Sequence, residues 1–463
     1  MTNRLPLFFF ISAALIKLVA IFNTDFDLFG DEAQYWIWSQ NLDFGYYSKP
    51  PLLSWTIFVF SFMFGNSFES LKLIPFILYF FTTCLIYKLT FQLYNDKTSS
   101  SVAAISFYLL PSVSVSSFLL STDILLIFFW SLCLLTLLKL RKNPSLVNYL
   151  LLGIFLGLAF LTKYAAIYFI ISLIIVLFFD KKLRNVFLKN YFKCALFLIS
   201  SIIIILPNII WNLNNGWVTL SHTSDNAGLE RIGFNLFRGA EFLIAQILMI
   251  GPVLFLGFIF FIKNLTFNFE SKFLIAFSVP IFFIVFIESV IVRANANWAA
   301  VAIIPSFIFL FNIVYTNSSK TIFINNLINL LFCFVLFLLI SINSNLDVFN
   351  RINGVSSFAE SLDQKYLKDN KYLVVEDRLL YSSLRYFFRE KGKIILMPHS
   401  SNNKIKSHFH LSDPLKSNFN KDFIYVGGIS ELSYLNKEYK IKKLNSLKVA
   451  FKKRKIEIYE INF

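Results

Sequence analysis

Long apolar runs recur through most of this chain, from Leu5 to Ile342, and few charged residues interrupt them. Hydrophobic residues make up 57% of the 463 residues, and charged residues only 15%. A run of about 20 apolar residues crosses the hydrocarbon core of a bilayer as one helix, and a soluble fold has no need for a series of such runs. The sequence therefore predicts an all-α polytopic membrane protein.

By this length criterion we predict about eleven membrane spans. They lie near residues 5–22, 71–91, 101–119, 123–139, 147–162, 165–179, 194–211, 241–262, 273–291, 298–315 and 322–342. The stretch Leu52–Phe64 is apolar but short and follows Pro50 and Pro51, which favours a helix lying at the membrane interface. The first run contains Lys17, and no small-residue cleavage site follows it, so we expect a retained span and not a signal peptide.

The positive charges of the loops predict the orientation of the spans, because cytoplasmic loops are rich in lysine and arginine. With a cytoplasmic N-terminus, the inner loops contain Lys88, Lys97, Lys139, Arg141, Lys142, Lys181, Lys182, Arg184, Lys189, Lys193, Lys263, Lys272 and Lys320. The outer loops contain few cations, namely Lys49, Lys163, Arg231, Arg238 and Arg293. The net charge of +16 is thus partly a topology signal, and no basic stripe with interleaved aromatic residues indicates nucleic-acid binding.

The composition becomes polar after Ile342, and an odd number of spans puts this tail on the outer side. Short apolar runs at 372–375, 393–397, 423–426 and 456–461 predict strands, and a helical pattern after the first of them ends at Gly392. We therefore expect a transmembrane domain over residues 1–342, with its first extracytoplasmic loop at 23–70, and a small extracytoplasmic α/β domain over residues 343–463.

The first outer loop contains two adjacent acids, Asp31 and Glu32, followed by Lys49 before the two prolines. Asp31 has a simple structural interpretation as a helix N-cap, with Gln34 as its capping-box partner. Asp123, after Ser121-Thr122, has the same interpretation at the start of a span. Lys163 and Arg293 are interpretable as side chains that reach for the membrane interface.

The predicted topology nevertheless places these charges on one side of the membrane. Lysines and arginines hold a phosphate and stabilise the charge that grows on it as it leaves, and a carboxylate takes the proton of an acceptor hydroxyl. Sugar transfer from a polyprenyl phosphate needs both groups and no nucleotide. The sequence contains no Walker loop, no dinucleotide-binding glycine motif and no histidine spacing typical of a zinc site. We therefore predict no cofactor and no metal-ligand set.

Several segments resemble the integral-membrane glycosyltransferases of the dolichyl-phosphate-mannose protein mannosyltransferase type, which are glycosyltransferase family 39 and bacterial relatives such as the lipid A aminoarabinose transferases. They are Asp31-Glu32-Ala33-Gln34-Tyr35-Trp36, Gly45-Tyr46-Tyr47-Ser48-Lys49-Pro50-Pro51-Leu52, Ser121-Thr122-Asp123, Gly157-Leu158-Ala159-Phe160-Leu161-Thr162-Lys163-Tyr164 and Asn295-Ala296-Asn297-Trp298. The tail adds Val375-Glu376-Asp377 and Tyr386-Phe387-Phe388. The resemblance implies the GT-C fold, a polyprenyl-phosphate sugar as donor, and inversion at the sugar carbon.

The resemblance also implies roles for individual residues. Asp31 would be the catalytic carboxylate, with Glu32 beside it and Asp123 as the second acid. The donor phosphate would be held by Lys49 and Lys163 with help from the outer-loop arginines, which are Arg231, Arg238 and Arg293. We further predict that substrate is contacted by Tyr35, Tyr46 and His222.

The resulting hypothesis is a glycosyltransferase of the bacterial inner membrane, with its catalytic loops and C-terminal domain on the periplasmic side. It would move a sugar from a polyprenyl-phosphate-linked donor to an envelope glycolipid of the lipopolysaccharide type. One alternative keeps the fold but uses a protein hydroxyl as acceptor. Another is a transporter or flippase for a lipid-linked sugar, which would place ionisable residues near mid-membrane in broken helices.

Overall fold

The structure is a computed structural model that describes residues 4–227, 232–367, 372–399, 405–435, 438–452 and 455–463. The chain divides into two compact units. The first contains Met1–Phe22, Lys49–Leu53 and Leu71–Leu338, and the second contains Asn23–Ser48, Ser54–Ser70 and Leu339–Phe463. The predicted boundary after residue 342 gives each domain one continuous stretch of chain, whereas the second unit is formed from several separate stretches.

Helices account for most of the described chain. In chain order the α-helices are α1 Arg4–Asn23, α2 Gly30–Gln40, α3 Leu52–Phe64, α4 Phe68–Tyr94, α5 Lys97–Tyr108, α6 Pro111–Ser116, α7 Thr122–Lys142, α8 Leu146–Thr162, α9 Ile167–Phe179, α10 Lys181–Leu188, α11 Tyr191–Asn214, α12 Val218–Ala227, α13 Leu236–Ile250, α14 Pro252–Phe261, α15 Phe269–Ala276, α16 Val279–Ile291, α17 Ala300–Asn317, α18 Ser319–Ser341, α19 Val355–Tyr366, α20 Arg378–Phe387 and α21 Phe409–Ser412. Short 3-10 helices cover Tyr164–Ala166, Ile262–Asn264, Ala296–Ala299, Asp347–Ile352 and Ile429–Leu432.

The helices of the first unit confirm a polytopic membrane protein. Within the described residues, seven helical segments are long and apolar enough to cross a membrane, or nine if two sharply bent helix pairs each count as one span. The predicted count of about eleven spans is therefore not confirmed. Leu52–Phe64 and Leu146–Thr162 are shorter apolar helices.

Two predicted spans, 101–119 and 241–262, are wrong as straight helices. The first is divided between α5 and α6, and the second is bent. The structure bends by 96° between α13 and the segment that begins at Pro252. Gly251 adopts a φ of +104°, which a residue with a side chain rarely takes, and Pro252 has no N–H to continue the helix. Hydropathy alone does not register such a break, because both halves are apolar.

Helices α8 and α11 pack closely through two glycines four residues apart. A Cβ on Gly153 would clash with the carbonyl oxygen of Phe197, and a Cβ on Gly157 would lie 2.8 Å from Cβ of Ile204. Small residues at this spacing let two helix backbones approach each other in a membrane protein. The contact supports the C-terminal end of α8, after which Lys163 follows directly.

The second unit contains a six-stranded sheet with the order β3-β2-β1-β4-β6-β5. The strands are β1 Tyr372–Val375, β2 Ile395–Pro398, β3 Pro414–Leu415, β4 Phe423–Val426, β5 Lys440–Leu447 and β6 Ile456–Asn462. The first four strands pair in parallel, and β6 runs antiparallel to both β4 and β5. The predicted α/β module is confirmed, but β3 and β5 were not predicted. Strand β3 is only two residues long, and β5 is an exposed strand rich in lysine without an apolar run.

Candidate active site

Asp31 lies at the second position of helix α2, in the second unit. Its Oδ1 accepts a hydrogen bond from Nη1 of Arg378 at 3.0 Å, and the same nitrogen also donates to Oε1 of Gln34. The side chain of Asp31 is 35% exposed, and its Oδ2 has no hydrogen-bond partner among the described residues. Asp31 is therefore a carboxylate held at one oxygen and open at the other.

The interpretation of Asp31 as an N-cap with Gln34 as its partner is wrong. The residue before the helix is Phe29, and its N–H donates to Oε2 of Glu32 at 2.8 Å. Glu32 is 1% exposed, so this acid satisfies a helix end that would otherwise lack a partner. Glu32 therefore has a structural role at the start of α2, and its catalytic role beside Asp31 stays a prediction.

Close packing of α2 against α20 brings Asp31 to Arg378. A Cβ on Gly30 would lie 2.7 Å from Cβ of Leu379, so only glycine fits there without a shift of the backbone. Further along α2, Nε1 of Trp36 donates to Oδ1 of Asn66 at 2.7 Å. Gly30 at the start of the motif is thus explained by the approach of a helix that lies far away in sequence.

An aromatic cluster supports the rest of the first loop. The rings of Trp38 and Tyr46 stack at 4.6 Å, and the imidazole of His408 meets both edge-on at 5.5 and 5.1 Å. The hydroxyl of Tyr46 lies 2.9 Å from the carbonyl oxygen of Trp38 and accepts from the N–H of Asp43 at 3.2 Å.

Burial lowers the pKa of His408 to about 4, although two nearby carboxylates oppose the shift. Burial raises the pKa of Tyr46 to about 12. Tyr46 is fully buried, which favours a supporting role over the predicted contact with substrate.

Asp123 lies at the second position of helix α7, in the first unit. Its Oδ1 accepts from Nζ of Lys163 at 2.7 Å, and its Oδ2 accepts from Nδ2 of Asn297 at 2.7 Å. The side chains of Asp123 and Lys163 are only 11% and 17% exposed. We call Asp123, Lys163 and Asn297 the lysine cluster.

The lysine cluster replaces two simpler interpretations. The N-cap of α7 is Ser121, and no side-chain bond caps this helix, so Asp123 is not an N-cap. Lys163 points its ammonium group at Asp123, so it is not merely an interface anchor. The turn that carries Asn297 is supported by Gln246, whose Nε2 donates to the carbonyl oxygen of Ala296 at 3.0 Å.

The other predicted site residues are distributed more widely. Lys49 is partly buried, and Arg238 is exposed with Nη1 donating to the carbonyl oxygen of Val292. Arg293 is exposed and has no hydrogen bond or ion pair among the described residues. Arg231 lies outside the described residues. The predicted phosphate contacts of all four stay predictions.

Tyr35 and His222, which we predict to contact substrate, lie in helices α2 and α12. Tyr35 is 7% exposed and meets Trp38 edge-on at 5.5 Å, whereas His222 is partly buried. Both predictions remain as predictions. Across the part of the chain that the structure describes, no group of three or more His, Cys, Asp or Glu side chains is arranged to hold a metal ion.

Two residues of these arrangements received no role from the sequence. Arg378 follows the motif Val375-Glu376-Asp377 directly, but nothing in that motif indicates an ion pair with a residue 347 positions earlier. Asn297 belongs to a segment that carries the family resemblance, and this resemblance was the signal in the sequence that could have identified Asn297. An amide gives no charge or spacing pattern from which a partner can be inferred.

Comparisons with known proteins agree with the resemblance noted above. Residues 48–211 match the family described as dolichyl-phosphate-mannose-protein mannosyltransferase. The lipid A galacturonosyltransferase RgtD of Rhizobium johnstonii is 31% identical over 340 residues, which are 72% of this chain and 71% of that protein. The lipopolysaccharide core galacturonosyltransferase RgtA of the same organism is 28% identical over 226 residues, 47% of this chain and 44% of that protein.

Solved structures give a likeness of fold. ArnT from Cupriavidus metallidurans, bound to undecaprenyl phosphate, matches with a TM-score of 0.67 at 12% identity over 99% of this chain and 98% of that one. The apo oligosaccharyltransferase of Archaeoglobus fulgidus matches with a TM-score of 0.52 at 13% identity, over 96% of this chain and 70% of that one. At such identities the likeness concerns the fold alone, and it confirms the predicted fold class.

Proposed function

This chain is a multi-pass membrane glycosyltransferase of the dolichyl-phosphate-mannose-protein mannosyltransferase family, and we propose that it transfers a sugar from a polyprenyl-phosphate donor to an envelope glycolipid. The acceptor is of the lipopolysaccharide type, and the reaction takes place on the periplasmic face of the bacterial inner membrane. The similarity to RgtD and RgtA supports a glycolipid acceptor over a protein hydroxyl. It also makes a uronic acid the first sugar to test.

The observation that carries the proposed chemistry is the state of Asp31. Arg378 holds one oxygen of its carboxylate, while the other oxygen has no partner in the described chain and the side chain is one-third exposed. A general base must be fixed in orientation and must still reach the proton that it removes. Asp31 meets both conditions, and so we assign it as the base that activates the acceptor hydroxyl.

Lys163 supplies the cationic part of the reaction. Asp123 fixes its ammonium group through one hydrogen bond, and its two other N–H groups have no partner among the described residues. Such donors stabilise a phosphate oxygen on which negative charge develops. Because both oxygens of Asp123 are occupied by Lys163 and Asn297, we assign Asp123 to positioning Lys163 and not to proton transfer.

The proposed step balances in atoms and charge. The O–H bond of the acceptor breaks and its proton moves to Oδ2 of Asp31, while the acceptor oxygen bonds to the anomeric carbon of the donor. The bond from that carbon to the phosphate oxygen breaks with its electron pair. The donor phosphate changes from a diester with one negative charge to a monoester with two, which is the charge that Lys163 stabilises. A single in-line displacement of this kind inverts the anomeric centre.

The experiment is mass spectrometry of envelope glycolipids from cells with and without the gene, and from the deletion strain carrying either the wild type or Asp31→Asn. We expect one sugar mass to disappear on deletion and to return only with the wild type. Asp25→Asn is a matched control, because Asp25 is an exposed acid of the same loop whose carboxylate accepts from Asn343. It should restore the sugar fully.

Other outcomes would redirect the assignment. Full restoration by Asp31→Asn would remove Asp31 from the chemistry. An unchanged glycolipid profile, with a sugar lost from envelope proteins, would favour a protein acceptor. An unchanged profile in both fractions, with accumulation of the lipid-linked sugar on one face of the membrane, would favour transport.

A further inference from the structure

The second unit contains a cavity of about 210 Å³ that the proposed chemistry does not use. Aromatic side chains form much of its lining, and the charged residues Asp27 and Arg389 complete it; the aromatic residues are Phe26, Phe68, Tyr386 and Phe387. This volume corresponds to about seven water molecules at roughly 30 Å³ each. It lies below the approximately 300 Å³ at which pockets for drug-sized ligands begin. The cavity therefore suits one small ring and not a whole glycolipid.

The cavity offers hydrogen-bond donors that the fold leaves available. The guanidinium of Arg389 lies 4.1 Å above the ring of Tyr386, and its Nη1 donates to the carbonyl oxygen of Tyr386 at 2.9 Å. Its Nε is buried without a hydrogen bond and has only a carboxylate oxygen of Glu390 at 3.5 Å. The hydroxyl of Ser383 also lines the cavity and has no partner within the described chain. The Nε atom is itself closed off from solvent, so a ligand oxygen would be met by the accessible part of the Arg389 guanidinium, whose side chain is 24% exposed, and by Ser383.

The acid in the lining is already engaged. Oδ2 of Asp27 accepts from the N–H of Val355 at 2.8 Å, and Oδ1 accepts from the N–H of Ser356 at 3.1 Å and from its hydroxyl. Asp27 thus caps the N-terminus of α19 and fixes one wall. Its charge balances that of Arg389, so the lining carries no net charge. A neutral lining favours an uncharged ligand with hydroxyl groups over a second anion such as phosphate.

We propose that this cavity binds one uncharged sugar ring of the acceptor glycolipid. The aromatic side chains would pack against the C–H faces of the ring, while Arg389 and Ser383 would donate to its hydroxyl or ring oxygens. This inference rests on the proposed function, because it takes the acceptor to be a glycolipid. It gives the C-terminal residues of the second unit a part in choosing the acceptor, which is separate from the chemistry of Asp31.

The test fills the cavity and measures acceptor binding apart from catalysis. Ser383→Trp adds bulk at the lining, and Arg389→Gln removes the charge while it keeps much of the side-chain length. Ser446→Trp is the matched control, because Ser446 is exposed on strand β5 and does not line the cavity. The probe is lipid A in detergent micelles, used both for binding to Asp31→Asn protein and for transfer by protein with Asp31 intact. A melting curve of each variant verifies folding.

We expect both cavity variants to raise the Kd and the KM for lipid A about tenfold, which is the effect of losing one good contact. The KM for the donor and the kcat at saturating lipid A should remain as in the wild type, and the control should match the wild type throughout. The deacylated glucosamine disaccharide should compete with lipid A for binding. If Ser383→Trp does not fold, Arg389→Gln alone decides.

Three results would overturn or separate the two proposals. Active transfer with unchanged Kd and KM in both variants would refute the sugar site. Competition by oleate and not by the disaccharide would also refute it, because the occupant would then be an acyl chain. No transfer by the wild type, together with binding that both variants weaken, would refute the proposed function and support the cavity as a sugar site.

Discussion

The lysine cluster allows a quantitative test of whether Asp123 takes part in the chemistry itself or acts through Lys163. The test is a double-mutant cycle with Asp123→Asn, Lys163→Met and the double variant. If Asp123 only positions Lys163, the double variant should be no slower than Lys163→Met. If the two act independently, the losses in rate should multiply.

The geometry sets the expected magnitudes. At 2.7 Å the two charges attract by about 6 kcal/mol at an effective dielectric constant of roughly 20, before the cost of burying them is subtracted. Removing one member of a largely buried pair costs about 3–5 kcal/mol of stability. Removing one donor to a developing negative charge lowers kcat by about 100- to 1,000-fold. We therefore expect each single variant to lose about 100-fold or more, with a coupling energy of about 2.7 kcal/mol or more.

The assay measures kcat for transfer to lipid A by purified protein, with the melting temperature recorded for each variant. The ion pair of Arg141 and Asp180 is a matched control, because it is comparably short at 2.9 Å and its side chains are 23% and 9% exposed. Asp180→Asn should lower the melting temperature without lowering kcat more than about twofold. A double variant whose loss equals the product of the single losses, on the order of 10,000-fold, would refute the positioning role.

Three further predictions concern the second unit. Arg378→Gln should lower kcat by about 10- to 100-fold, and Arg378→Lys should recover part of the rate, because lysine keeps the charge but not the planar fork. Arg385→Gln on the same helix should have little effect. A wild-type rate for Arg378→Gln would contradict the role of Arg378 in holding Asp31. Gly30→Ala should cost about 1–3 kcal/mol of stability through the contact with Leu379, and an unchanged melting curve would contradict this packing. The pKa of His408 is about 4 in the folded chain, whereas a histidine that is not buried has a pKa of 6.5. The unfolded chain therefore binds a proton on His408 at a higher pH than the folded chain does. The unfolding free energy should therefore fall by about 3 kcal/mol as the pH drops from 6.5 to 4, and His408→Phe should flatten this dependence; equal slopes in the two proteins would argue against it.

The sequence contained the information for the membrane class, because a bilayer demands long apolar helices and their length is visible locally. The α/β module was visible for the same reason, since β1, β4 and β6 are short apolar runs between turns. The number of spans was not visible. It depends on breaks such as the one at Gly251, where a backbone angle and not hydropathy decides whether two apolar halves continue straight.

The acids of the site were found from their residue types within a resembling motif, but their local roles were not. Asp31 and Glu32 are neighbours with the same charge, and nothing in the sequence states that Glu32 caps a helix while Asp31 remains accessible. The boundary of α2 decides this. At that boundary Gly30 packs closely against Leu379 of a helix that lies far away in sequence.

The sequence by itself determined which segments lie in lipid and which lie in water, because insertion into a bilayer depends on the composition of some twenty consecutive residues. Only the tertiary structure decided which charges meet. Asp31 pairs with Arg378 and Asp123 pairs with Lys163 and Asn297, across separations of 347, 40 and 174 residues. An ion pair is a contact over about three ångströms, and a side chain reaches it only after helices far apart in the chain have packed together.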